Sequence, residues 1–375
     1  VNIRNSFISG FKMYMKKVYD QKEWFLKTIL LMFVLLLTTG IFNYIIDSAG
    51  IFGQGDELTK AARALINDKM IAGLENYDER QLQKLIIENS GKKFDIIFLG
   101  SSTGMQLRHS FLRFGDGSHY FFNHGVSGSS IEDYMAIVGL YESKGYLPTK
   151  IIIGVNPWVF NKNSGQSRWK SIGKYYKNIL EKIYGTNTEV DYHDNPKYLQ
   201  LINFDYTKAN LRAITKNKKN KIYITNTIEI DDYIREPDGS IHYPFKTRFK
   251  KDTDTQRDAK LYANEPVYSL EKFNKLSNTK LFEDFITYLQ KKNIEVMFLL
   301  TPYHPITYKL LIEKPKYKII VDAELYLKNL ASSHNIKISG SYDPEKNSFS
   351  SADFTDGMHS KDIVMKKLCE HFSIK

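Results

Sequence analysis

Nineteen consecutive residues, Thr28 to Ile46 (TILLMFVLLLTTGIFNYII), carry no charge. Wound as an α-helix at about 1.5 Å per residue they reach about 28 Å, the depth of a bilayer's hydrocarbon, so this stretch constrains the chain before anything else does. Ahead of it stand Arg4, Lys12, Lys16, Lys17, Lys22 and Lys27 against only Asp20 and Glu23. That basic excess places the leading flank in the cytoplasm and residue 47 onward outside. A cleaved signal peptide is the competing reading, but the flank is long, the apolar run exceeds a usual signal core, and Ile46-Asp47-Ser48-Ala49 is a poor cleavage site. The expected division is a cytoplasmic basic tail over 1–27, a transmembrane helix over 28–46, a helical linker over 47–90 and an extracytoplasmic domain over 91–375.

With 375 residues, 42% of them hydrophobic, the chain can bury a large core. The single cysteine, Cys369, excludes an intramolecular disulfide and a cysteine-based zinc cage, and its spacing from Val364, Leu368 and Phe372 is that of a helix's core face. A net charge of +11 persists beyond the apolar segment, in runs such as 216–221 and 246–251. Outside a cell a basic surface favours an anionic wall polymer or lipid headgroups, and the expected topology excludes nucleic acid.

Within 47–90, Gly50, Gly53 and Gly55 mark a hinge, and 58–72 and 77–89 show helical apolar spacing. Phe94 to Leu99 then reads as a buried strand ending in Gly100-Ser101-Ser102-Thr103-Gly104. A second candidate strand over 120–123 ends in His124-Gly125-Val126-Ser127-Gly128, and a helix follows from about Ile131 to Lys144, started by a capping box of Ser129 with Glu132 or Ser130 with Asp133. A third, 150–155, ends in Asn156-Pro157-Trp158. Residues 161–270 break the rhythm, rich in Lys, Asn and Tyr, and read as an insertion or lid packed over the same rim. Alternation returns with a helix over 270–292, a strand over 294–300 ending in Thr301-Pro302-Tyr303-His304, a helix over 318–334, a strand over 336–339 and a last helix over 360–372. Apolar strands alternating with helices predict an α/β fold with a parallel sheet covered on both faces, whose ligands gather at the strands' carboxyl ends.

Four polar, small-residue blocks therefore belong near one edge: Gly100-Ser101-Ser102, Gly125-Val126-Ser127-Gly128, Gly154-Val155-Asn156 and Asp356-Gly357-Met358-His359. A serine hydroxyl needs an imidazole to take its proton, which His359 supplies if the last loop folds over the first strand, and Asp356 then holds the ring's tautomer. Glycine-rich turns and an asparagine amide offer donors for an oxyanion. Taken singly, each block also reads as ordinary turn and cap chemistry. The remaining histidines, among them His109, His124, His193, His242, His304 and His334, show no metal spacing.

The four blocks, in this order over 94–360, resemble those of the SGNH/GDSL hydrolase superfamily. The resemblance implies a three-layer α/β/α, flavodoxin-like domain and a Ser102–His359–Asp356 triad. It further implies an oxyanion hole from Ser102, Gly128 and Asn156, with Ser101, His304 and Trp158 as possible cleft lining and neither metal nor cofactor. Gly-Ser-Ser replaces the family's usual Gly-Asp-Ser, so Ser101 competes with Ser102 as nucleophile, and the alignment of the block favours Ser102. The anchor together with the third and last blocks looks more like the membrane-anchored D-alanyl transfer proteins of teichoic-acid modification and the SGNH-like partners of membrane-bound O-acyltransferases. This narrower likeness implies extracytoplasmic acyl transfer or ester hydrolysis on a cell-wall polysaccharide or teichoic-acid-like polymer. The alternatives are a wall-glycan O-acetylesterase and a catalytically silent scaffold for a membrane-bound O-acyltransferase.

Overall fold

The computed structural model describes residues 2–47, 52, 57–74, 77–114, 119–185, 189–190, 192, 197–215, 222–370 and 372–374. The hinge glycines Gly50, Gly53 and Gly55, His193 and the lysine run 216–221 lie outside the described residues. The chain divides into two units, Val1–Gln54 with Asn195–Lys219, and Gly55–Asp194 with Asn220–Lys375.

In the first unit, helix α1 (Asn2–Ile46) takes in the basic flank as well as the apolar run. Its part from Tyr19 to Ile46 is long and apolar enough to cross a membrane. Leu30, Leu31, Phe33 and Leu35 are all more than half exposed, which separates this helix from the core helix of a water-soluble domain. Near its end the Asn43 amide, fully buried, donates to Leu201 O and Thr207 Oγ1, both at 2.8 Å, and accepts from Asn210 Nδ2 at 2.9 Å. These bonds attach the 3₁₀ turn Lys197–Ile202 and the helix Phe204–Thr215 to α1. The expected insertion over 161–270 is thus not one body, since its middle belongs to the first unit.

The second unit is built on five parallel strands, β1 (Ile96–Leu99), β2 (Phe121–Asn123), β3 (Lys150–Gly154), β4 (Glu295–Leu300) and β5 (Lys337–Gly340), in the order β5-β4-β3-β1-β2. Each falls on a segment expected from the sequence to be a strand. Ile97 pairs with Phe122 on one side and Ile151 on the other, and Ile152 with Met297. Five further helices belong to the unit's frame: α2 (Glu79–Asn89), α3 (Ile131–Ser143), α4 (Thr279–Lys291), α5 (Ile319–Ser333) and α6 (Asp362–Cys369). Ile97, Leu99, Ile151, Ile153, Phe298 and Leu300 enter one core with α2, α3, α4 and α5. Ile96, Phe98, Ile152, Met297 and Leu299 enter a second core with α6, Cys369 included. Each such fully buried side chain contributes about 1.5–3 kcal/mol by leaving water, and both faces of the sheet are covered. Strand order reverses between β1 and β3, so a crevice opens at their carboxyl ends, the place where open α/β sheets bind ligands.

Three expectations are corrected. Residues 58–72 are not one helix: Glu57–Ile66 is helical, and Met70–Ala72 is a strand pairing antiparallel with both Tyr223–Thr225 and Ile234–Arg235, the latter pairing with Ile241–His242. Nor is 57–90 a linker, because Ala61, Leu65, Ile71, Leu82 and Ile86 are buried in the main core. Helical apolar spacing says that a face is covered, not by what. The helix expected from 270 starts at Thr279, with Leu270 and Phe273 buried in the turns before it.

Candidate active site

β1 ends at Leu99, and after Gly100 the chain turns into a short 3₁₀ helix, Ser102–Gly104, capped by Ser101. The glycines here answer to packing. A Cβ on Gly100, Gly104 or Gly154 would stand 2.3, 2.2 or 2.6 Å from the Phe98 ring tip. Phe98 is fully buried under the turn, and only glycine on three sides leaves it room.

Ser102 Oγ lies 2.9 Å from His359 Nε2. On the ring's far side Nδ1 is 2.9 Å from Asp356 Oδ2 and 3.1 Å from Oδ1. The carboxylate can only accept, so Nδ1 carries the proton and Nε2 is left to accept from the Ser102 hydroxyl. Asp356 Oδ1 also accepts the Met358 and His359 backbone amides at 2.8 Å each. The turn chemistry that reads as a bland Asx turn is the same chemistry that fixes the imidazole. Burial alone would raise the Asp356 carboxyl, but the hydrogen bond and charge of His359 and the two amides hold it at about 2. Thr355 closes the loop by donating its N–H to His359 O at 2.9 Å, and Gln106 Nε2 donates to Ser360 O, tying the turn after β1 to the loop before α6. The Ser102 N–H, first amide of the 3₁₀ turn, meets no acceptor among the described residues and is free to donate.

The other two expected oxyanion donors, Asn156 and Gly128, meet the following neighbours. Asn156 is 3% exposed; its Oδ1 accepts from Ser101 Oγ at 2.6 Å and its Nδ2 donates to Thr103 Oγ1 at 3.2 Å, so it braces the serine turn from behind. Gly128 has φ +55° and is closed over by Tyr268, whose hydroxyl a Cβ would meet at 2.3 Å, and by Arg168 and Gln166. The possible cleft lining is corrected as well. Ser101 is buried on Asn156, Trp158 is buried with its Nε1 donating to Ser129 O, and His304 caps the helix Pro305–Ile312, its Nδ1 accepting from the Ile306 N–H. Burial lowers the His304 pKa. The buried position of Ser101 leaves Ser102 as the serine that faces the imidazole.

Ser102, Asp356 and His359 line a cavity of 530 Å³, and part of the insertion forms its opposite wall through Tyr233, Arg235 and Tyr243. Tyr243 donates its hydroxyl to Ser102 O at 3.3 Å and sets its ring edge-on to His359 at 6.0 Å between centroids. Burial, with the Asp356 charge behind it, pushes its pKa well above the ordinary value, so the phenol stays a donor. Sequence reading missed Tyr243, because the strand before it, Ile241–His242, is too short to show a period. It also missed a brace on the second block. Arg80 makes a bidentate pair with Asp133, both bonds 2.9 Å, and donates to Ser127 O at 3.0 Å. Glu79 accepts the Ser127 N–H and Oγ–H. Asp133 also accepts the Ser130 N–H at 2.9 Å, which selects Ser130 with Asp133 as the box that starts α3. Among the described residues no group of three or more His, Cys, Asp or Glu side chains forms a metal site.

Compared with known proteins, the chain matches no protein-family model, and no curated protein matches it.

Proposed function

We propose that the protein is a membrane-anchored serine acyltransferase or esterase of the SGNH type, acting outside the cytoplasm on an ester-modified cell-wall polysaccharide or teichoic-acid-like polymer. The observation that carries this reading is the relay Ser102 Oγ, His359 Nε2, His359 Nδ1, Asp356, whose contacts are all 2.9–3.1 Å. Parallel strands in the order β5-β4-β3-β1-β2, with Ser102 at the reversal, support the flavodoxin-like SGNH arrangement. The apolar helix supports a membrane anchor, and a membrane-bound O-acyltransferase is the partner that this architecture would serve.

In the proposed reaction Ser102 Oγ attacks the ester carbonyl while His359 Nε2 takes the hydroxyl proton. Negative charge gathers on the carbonyl oxygen, which the Ser102 N–H meets. The C–O bond to the leaving alcohol breaks, and the imidazolium, steadied by Asp356, returns the proton to that oxygen. The acyl group now rests on Ser102. A hydroxyl of the polymer, or water, gives its proton to His359 and attacks the acyl carbon; the acyl–Oγ bond breaks, and His359 returns the proton to Ser102 Oγ.

The test uses full-length protein in detergent with a fluorophosphonate and with p-nitrophenyl acetate. The expected outcome is a stoichiometric adduct on Ser102 and a nitrophenol burst, both absent in Ser102→Ala. No adduct and no burst in the folded wild-type protein would remove the enzyme reading and leave the scaffold.

A further inference from the structure

The cavity beside Ser102 contains a cation that no described residue neutralises. Arg235 is 6% exposed and sits on the two-residue strand Ile234–Arg235. It pairs across the small sheet with Ile71 on one side and Ile241 on the other, which puts the three side chains on one face. Tyr243, two residues beyond Ile241, continues that face, and all four residues line the cavity. Of the five N–H donors of its guanidinium, one on Nη1 goes to Gly239 O at 2.9 Å and one on Nη2 to the Tyr77 hydroxyl at 2.8 Å. Both acceptors are uncharged, and among the described residues no carboxylate lies within ion-pairing distance. The two other buried arginines are each paired, Arg80 with Asp133 and Arg108 with Asp362. The acids that share the cavity are committed elsewhere, Glu79 to Ser127 and Arg80, and Asp356 to His359. A guanidinium taken out of water without a counter-ion is costly to bury, and its planar fork fits a carboxylate or a phosphate.

We infer that Arg235, with one arm fixed by Tyr77, binds an anionic group carried by the substrate whose ester meets Ser102. This rests on Ser102 being the nucleophile, and it narrows the substrate to esters that bear a phosphate or a carboxylate. The chemistry shared by both is a delocalised oxyanion that accepts two parallel N–H bonds.

The test measures kcat/KM of the full-length protein on three acetyl esters alike except for a phosphate, a carboxylate or a neutral hydroxyl on the alcohol half. In Arg235→Gln the ratio of the anionic to the neutral ester should fall about tenfold or more, the effect of losing a charge-assisted pair, and Arg235→Lys should restore part of it. Whichever anionic ester loses more identifies the group. A binding arm stands apart from turnover: glycerol phosphate or succinate, against glycerol at constant ionic strength, should raise the Tm of Ser102→Ala more than that of Ser102→Ala with Arg235→Lys, whose ammonium lacks the bidentate fork. That arm still reads the site if Ser102 proves not to be the nucleophile, and it needs only the conservative variant to fold. Unchanged ester ratios in Arg235→Gln, or an anion-dependent Tm rise undiminished by Arg235→Lys, would overturn the assignment.

A separate observation lies within the first unit. The helix Phe204–Thr215 turns Tyr206 and Asn210 to α1, where Tyr206 Oη donates to Asp47 Oδ1 at 2.6 Å and Asn210 bonds Asn43. Its outer face carries Phe204, Leu211 and Ile214, which are 79%, 52% and 50% exposed, with Lys208 and Arg212 flanking them, and the preceding turn exposes Tyr198 and Ile202. All of this is pinned within one turn of the end of the apolar helix. We infer that 197–215 lies in the headgroup layer of the bilayer that α1 crosses, with its apolar face against the acyl chains and its basic flank toward anionic lipid. An environment-sensitive dye on Leu211→Cys, in full-length protein in vesicles of phosphatidylcholine and phosphatidylglycerol, should be quenched by shallow brominated lipid and shielded from iodide; buried Cys369 stays unlabelled in the folded protein. Quenching by iodide alone, or shielding from both quenchers as under a protein partner, would overturn it.

Discussion

Replacing Asp356 by asparagine separates the charge of the relay from its shape. The carboxamide keeps an oxygen for the Met358 and His359 amides, now at 2.8 Å, so the loop should lose only about 1 kcal/mol. The ring loses more. With that oxygen on the backbone amides, the –NH₂ faces His359 Nδ1, which must then accept; the ring proton moves to Nε2 and the base facing Ser102 disappears. The charge contribution follows from the 2.9 Å contact: at an effective dielectric of about 20 a carboxylate stabilises an imidazolium by about 6 kcal/mol. Asp356 is 39% exposed, and solvent screening brings this to about 3 kcal/mol. The expected loss in kcat/KM is therefore about a hundredfold from charge alone, and greater with the wrong tautomer. The assay is p-nitrophenyl acetate hydrolysis by stopped flow, with thermal melts alongside to show that the variant is folded. A folded Asp356→Asn protein retaining activity within about threefold of wild type, in a background where Ser102→Ala is inactive, would refute the relay.

Ser101→Ala should keep fluorophosphonate labelling while losing about 1–2 kcal/mol of stability with its bond to Asn156, and Ser102→Ala should do the reverse; labelling that follows Ser101 would reassign the nucleophile. Arg80→Met leaves the Asp133 carboxylate buried and unpaired, which should cost about 3–5 kcal/mol in urea unfolding, with Asp133→Asn in the same chain recovering part of it. His124 is buried between Gln83 and Tyr141, and burial first, then the Arg235 charge, pushes its pKa down to about 3. Its folded pKa lies below the unfolded value of about 6.5, so this stability is present above pH ~6.5 and is lost as pH falls toward 3, by up to about 4 kcal/mol. Tm should fall between pH 7 and 4, and His124→Gln should flatten that slope; equal slopes in both proteins would contradict the burial argument.

The strands and the Asp356–His359 turn are legible in the chain because each rests on interactions among residues a few positions apart, whereas Ser102 and His359, 257 positions apart, are expected together only through the resemblance of the four blocks. An apolar run declares a buried strand whatever covers it, and the Asp356 turn closes on amides only two and three residues away. Other features lie beyond local reading. Gly100, Gly104 and Gly154 look like turn glycines, yet it is the Phe98 ring between them that demands their missing Cβ atoms. Asn156 has the right residue type at the right strand end, but its bonds to Ser101 and Thr103, 55 and 53 positions earlier, are set by the tertiary fold. Arg235 sits on a strand of two residues and Tyr243 just past another, both too short for a period, and they reach the cavity only because Ile234–Arg235 pairs with Met70–Ala72, more than 160 positions earlier, and with Ile241–His242. Periodicity and turn chemistry are short-range free energies that a sequence displays on its face. The composition of the cavity wall is set by long-range pairing and by which partner wins each buried polar group, and that competition is decided only once the sheet has formed.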